Sequence, residues 1–261
     1  MHFNFDFSTG QILWTLTFAA LLVLLVVLLG RDRVRLFPWF TTSIALMALD
    51  KLASRLLYRR MPLVLTEEIF LALADLAAIV SLLVVVEIAR RAFEGAGRRE
   101  WIAGTLGLLA VGGVVLVMWG PWPSLKTLFA GSELTYLRMM ELFAQKADLL
   151  SNVLFVQLGL LVVVFGGKFK AGWHSHTQQL AIGFTMASIS QLAIRGALQH
   201  ATQITIHSQD EYKRVVGMVN SLTNAGGIIF LVVLLWWIVC LWSDEPGAKT
   251  EDSEQQTADS E

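Results

Sequence analysis

Arg138, Glu141, Gln145, Asp148 and Asn152 recur at intervals of three, four, three and four residues. At about 100° per residue, that spacing gathers them within roughly 80° of a helix circumference. Side chains of both charge signs in one stripe can grip a small polar molecule, hold a neighbouring helix, or pass an ion. The stripe continues as Phe155 and Gly159, so the same helix is polar toward one end and apolar toward the other. Ser188, Gln191, Arg195 and Gln199 form a second stripe of similar width, roughly 80°. Glu68 and Asp75 share a face, Asp50, Lys51 and Arg55 mark another segment, and Asn220, Thr223, Asn224 and Gly227 a further one. Lys146 lies about 80° off the Arg138 stripe and points to a separate helix contact.

The elements that must position these groups are apolar. Of 261 residues, 55% are hydrophobic and 16% charged, with mean hydropathy +0.61. A soluble domain carries about a quarter charged residues, so the chain reads as a multi-pass membrane protein. Crossing about 30 Å of hydrocarbon takes roughly 20 mostly apolar residues. Segments near 11–30, 37–58, 66–91, 101–120, 136–166, 178–202 and 214–242 satisfy this. The expected fold is all-α, a seven-transmembrane helix bundle forming one domain over residues 1–242. The remainder, 243–261, is acidic, expected to be disordered and too short for an output domain.

Orientation follows from Lys and Arg in the connections, because the cytoplasmic side holds the excess. With the N-terminus outside, the inner segments hold ten: Arg31, Arg33, Arg35, Arg90, Arg91, Arg98, Arg99, Lys168, Lys170 and Lys249. The outer ones hold five: Arg59, Arg60, Lys126, Lys213 and Arg214. The N-terminus is therefore expected outside and the C-terminus in the cytoplasm. Tryptophans fall at span ends, with Trp14, Trp119 and Trp122 outside and Trp39, Trp101, Trp173, Trp236, Trp237 and Trp242 inside, as headgroup-level indoles should. The N-terminal MHFNFDFSTG has no basic residue, so the first span is expected to stay rather than be cleaved as a signal peptide.

Eleven ionisable residues lie within the outer parts of the spans: Asp50, Lys51, Arg55, Glu67, Glu68, Asp75, Arg138, Glu141, Lys146, Asp148 and Arg195. At about 2.5–3.5 kcal/mol each against lipid, the unpaired set would approach an upper bound of ~30 kcal/mol. Most of them are therefore expected to face the bundle interior and pair, with helices one and four, which are free of such charges, facing lipid. By depth, the polar groups collect in the outer half over an apolar floor. This predicts an outward-facing pocket lined by Asp50, Arg55, Glu68, Asp75, Glu141, Asp148, Arg195 and Asn224. Its near-balanced charge suits a small polar or zwitterionic ligand. Ion pairs that only lock helix register, or an ion or proton path, remain open alternatives.

Other chemistry is not indicated. A formal net charge of -1 gives no bulk attraction to nucleic acid. Cys240 is alone, so no disulfide or Cys metal site forms within the chain. His174 and His176 have no nearby acid or Cys for a metal, no span holds haem-ligating histidines, and the last span lacks a lysine for a retinal Schiff base. No nucleotide-binding glycine loop or nucleophile motif appears, and Asp50, Asp75 and Asp148 lack the glycine-containing surroundings of intramembrane aspartyl proteases. Neither an enzyme nor a cofactor is expected. Arg31, Arg33, Arg35 and the RRAFEGAGRRE loop could meet anionic lipid headgroups, and positive-inside bias accounts for them.

RLFPWF (35–40), EIARRAF (87–93) and IGFTMASISQLAIR (182–195) resemble stretches of a group of uncharacterised bacterial seven-span membrane proteins. The resemblance implies that fold in a bacterial inner membrane and no catalytic residues. The layout is also similar to sensor-type seven-helix membrane domains. The leading expectation is a sensor or receptor-like protein acting through a signalling partner protein within membrane lipids. The alternatives are a transporter or ion-coupled carrier and a structural subunit of a membrane complex.

Overall fold

The computed structural model describes residues 9–57, 62–92, 98–119, 122, 133–165, 175–202 and 209–243. These form helices α1 (Thr9–Gly30), α2 (Pro38–Leu57), α3 (Leu63–Ala92), α4 (Arg98–Met118), α5 (Glu133–Phe165), α6 (His176–Thr202) and α7 (Gln209–Trp242), with no strand among the described residues. Helices α1, α3, α5, α6 and α7 are each long and apolar enough to cross a membrane. In α2 the charges of Asp50, Lys51 and Arg55 interrupt the apolar run, and the described apolar stretch of α4 is the shorter Gly107–Met118. The chain thus has the make-up of a helical multi-pass membrane protein. The acidic tail after Ser243 and the loops around 123–132 and 166–174 lie outside the described residues.

α1 packs on α2 and α7, α2 on α3, α3 on α5 and α6, and α6 on α5 and α7. α4 packs on α5 from outside this ring. Its peripheral place fits the expectation for helix four, but α1 is a full ring member. Its stripe Thr17, Leu21, Leu24 and Leu28 is buried, while Val23, Val26 and Leu29 stay exposed.

Local chemistry sets the helix ends. α1 stops in a Schellman arrangement: the Arg33 N–H donates to the Leu28 carbonyl at 2.9 Å and the Asp32 N–H to Leu29 at 3.3 Å. Asp32 takes the required left-handed conformation at φ 52°, which aspartate tolerates better than most residues. α2 starts at Pro38, whose fixed φ and missing N–H suit a first helical position. Phe37 before it has no side-chain oxygen to cap the helix, so the cap comes from elsewhere in the chain. Glu87 of α3 accepts the Phe40 N–H at 2.9 Å and the Trp39 N–H at 3.3 Å. Arg91, one turn further along α3, donates to the Leu36 carbonyl and lies 4.6 Å from the Phe37 ring centre.

Burial divides the bundle into two ends. Apart from Thr66, no described residue is buried in 9–16, 49–57, 64–77, 135–146, 189–200 or 209–225. The core occupies the other end, which holds the α1–α2 turn. At its centre Phe40, Phe155, Phe184 and Trp237 join four helices. Phe155 and Phe184 stack at 4.2 Å, and Trp237 lies 4.7 Å from Phe184 and 5.2 Å from Phe40. Trp237, expected among the headgroup-level indoles, is instead 1% exposed within this cluster, while neighbouring Trp236 is half exposed. Two glycines permit the approach: a Cβ at Gly183 would strike the Trp237 indole, and one at Gly159 the Thr185 side chain. Thr185 Oγ1 donates to the Ala181 carbonyl of its own helix at 2.7 Å and lies 3.2 Å from the Phe155 carbonyl, where α6 meets α5.

Candidate functional site

The two stripes read from the sequence meet at the open end. Arg195 Nη2 of α6 donates to Asp148 Oδ2 of α5 at 2.6 Å, and Nη1 lies 3.5 Å from the Gln145 carbonyl. Gln145 Nε2 donates to Glu141 Oε1 at 3.0 Å. On the other side, Asn152 Nδ2 donates to the Asp148 carbonyl at 2.8 Å and to Oδ1 at 3.1 Å. The result is a hydrogen-bonded line from Glu141 to Asn152 along one face of α5, with Arg195 as the crossing to α6. The ion pair is accessible, with side-chain exposures of 32% for Arg195 and 52% for Asp148.

Exposure along α5 gives the line a direction. Arg138, Glu141, Gln145 and Asp148 are exposed, and so are Tyr136, Met139 and Phe143. At about 100° per residue these two sets lie on opposite sides of the helix, with half-covered Leu142, Ala144 and Lys146 between them. In a bilayer the apolar set suits hydrocarbon and the polar set suits water or a polar ligand. α6 behaves alike: exposed Met186 and Ile189 stand apart from the side that carries Gln191 and Arg195.

The other residues expected in the site are placed as follows. Asp50 is half-buried on the side of α2 that continues the buried Phe40, Ser43 and Ile44. Arg55 is exposed with its guanidinium 5.8 Å from the Trp14 ring centre. Glu68 and Asp75 share a face of α3 as their spacing predicts, and Asp75 Oδ1 is covered without a hydrogen-bond partner. Asn224 is half-buried, close in helical angle to exposed Leu235. None of these five makes a hydrogen bond or ion pair with Glu141, Asp148 or Arg195 among the described residues. Of the eleven charges in the outer parts of the spans, Asp148 and Arg195 form the one ion pair found among the described residues. Pairing is therefore narrower than the insertion argument predicts, because much of the charge lies where the helices leave it accessible.

Three contacts have partners that the sequence did not name. Lys146 does serve a separate contact: its Nζ donates to the Trp119 carbonyl at 2.7 Å and lies 4.5 Å from the Trp122 ring centre. Trp119 Nε1 donates to Gln199 Oε1 at 3.1 Å, so the end of α4 reaches both α5 and α6. Glu87 is a buried acid at the packed end, where the sequence predicts an apolar floor. The uncapped Phe37–Pro38 helix start was the signal that could have found it. His176 is 2% exposed, and His174 lies outside the described residues.

No protein-family model matches this chain, and no curated protein or solved structure matches it either. What the site can do therefore rests on its own residues: an accessible carboxylate–guanidinium pair, with further amide and carboxylate groups in line, can hold a small molecule carrying complementary charge.

Proposed function

We propose that the chain is a seven-span protein of a bacterial inner membrane, N-terminus outside, that binds a small polar or zwitterionic ligand at its open end as a sensor or receptor. The observation that carries this reading is the exposed polar face of α5, bridged to α6 by Asp148–Arg195, above a close-packed half. A guanidinium and carboxylates on adjoining helix faces can engage a ligand's acid and its ammonium together. A carrier would need a water-lined route through the packed half, where Phe40, Phe155, Phe184 and Trp237 fill the centre.

The test is thermal unfolding of the purified chain across a panel of amino acids, betaines, polyamines and small organic acids. A ligand at 100 times its Kd stabilises by about 2.7 kcal/mol. At least one compound should raise the midpoint of the wild type and fail with Arg195→Ala. If no compound shifts the wild type, and Arg195→Ala melts as the wild type does, the reading is abandoned.

A further inference from the structure

At the packed end, the α1–α2 turn carries more cationic side chains than the fold uses. Asp32 lies 3.6 Å from Arg35, and Glu87 is occupied by the N–H groups of Trp39 and Phe40. Arg91 is occupied by the Leu36 carbonyl and the Phe37 ring. Arg33 and Arg90 remain, and neither makes a side-chain hydrogen bond or ion pair among the described residues.

Arg33 differs from an ordinary surface arginine. It is half-buried, and its Nε is covered without a partner. Its Nη groups are neither covered nor hydrogen-bonded, so they are the donors that an incoming anion can reach. Arg90 is exposed on the last turn of α3, which Arg91 straps to the same turn. The surroundings are those of a bilayer surface: Trp39 is 43% exposed and Trp242 59%, with the Arg31 guanidinium 5.3 Å from the Trp242 ring centre. Indoles gather at headgroup level, and arginine forks match phosphate oxygens bidentately.

We propose that this end of the chain is a binding site for the phosphate of an anionic phospholipid, with Arg33 and Arg90 as the ligating side chains. A zwitterionic headgroup presents the same phosphate but brings its own cation toward the arginines, so the site prefers a net-negative lipid. The inference needs only that these helices lie in a bilayer, and it is independent of any ligand at the open end.

The experiment uses the full chain in detergent, titrated separately with phosphatidylglycerol, phosphatidylcholine and inorganic phosphate. Thermal unfolding and native mass spectrometry of retained lipid provide the two readouts. Phosphatidylglycerol should raise the midpoint and remain bound, whereas phosphatidylcholine and inorganic phosphate should do neither. Removing each arginine should weaken phosphatidylglycerol binding about fivefold, the equivalent of about 1 kcal/mol per charge near an anionic surface. Arg33→Lys should fall between Arg33→Gln and wild type, since it keeps the charge and loses the fork. If Arg33→Gln destabilises the fold, Arg90→Gln alone carries the mass-spectrometric measurement. Equal retention of both lipids, an equal effect of inorganic phosphate, or wild-type retention by Arg90→Gln would each overturn the proposal.

Discussion

Gly183 and Gly196 lie on the same helix and should respond oppositely to the same methyl group. At Gly183 the added Cβ meets the Trp237 indole, whereas at Gly196 nothing lies within 4 Å. Trp237 is 1% exposed and hemmed in by Phe40 and Phe184, so it cannot step aside. Gly183→Ala is expected to cost about 1–3 kcal/mol through overpacking. Gly196→Ala should be neutral or gain up to about 1 kcal/mol of helix propensity. Thermal unfolding of the two purified variants checks this, and equal losses would contradict the division into packed and open ends. Asp32 makes a second case: its left-handed backbone predicts that Asp32→Val costs about 1–2 kcal/mol while Asp32→Gly does not. The helix faces that carry Asp148 and Arg195 were legible from spacing, because i, i+3 and i, i+4 intervals report helix faces directly. The different fates of Trp236 and Trp237 were not, since one residue's rotation of about 100° decides which indole enters the core.

At the scale of elements, α2 depends on a partner helix for its start. Its first N–H groups find their acceptor in Glu87, which lies 47 residues away from Phe40 in sequence. A negative charge there also complements the helix dipole. Glu87→Ala should destabilise by about 1–3 kcal/mol by leaving buried donors unmet, and Glu87→Gln, which keeps one acceptor oxygen, by less. Hydrogen exchange at the Trp39 and Phe40 amides should rise in Glu87→Ala and leave amides in the middle of α7 unchanged. The stretches RLFPWF and EIARRAF meet in this contact, while IGFTMASISQLAIR supplies Gly183, Phe184 and Arg195. Hydropathy identifies each stretch as a span end or interior. It says nothing of which end touches which.

For the whole molecule, the contrast between the two ends predicts a labelling pattern. Single cysteines at Gln145, Gln191 and Thr223 should react with a membrane-impermeant thiol reagent, and cysteines at Leu158 and Leu234 should not. The native Cys240, 8% exposed, should give little background. Reaction at Leu158 or Leu234 comparable to that at Gln145 would mean that the close-packed half admits water, and would favour a carrier. Labelling in intact cells also tests orientation, because the reactive set should be reachable from outside.

Composition and apolar run length were enough to determine an all-helical chain with several membrane-capable helices, because the cost of exposing polar backbone to hydrocarbon leaves few alternatives. Three- and four-residue spacing was enough to place Glu141, Gln145 and Asp148 on one side of α5 and Arg195 on a matching side of α6. Only the tertiary structure decided that these two sides meet, that Asp50, Arg55, Glu68, Asp75 and Asn224 make no polar contact with them, and that a buried glutamate anchors α2. Periodicity is a property of one helix at a time. Pairing depends on how neighbouring helices are rotated and how far they splay, and those are set by close contacts such as Gly183 on Trp237 and Gly159 on Thr185.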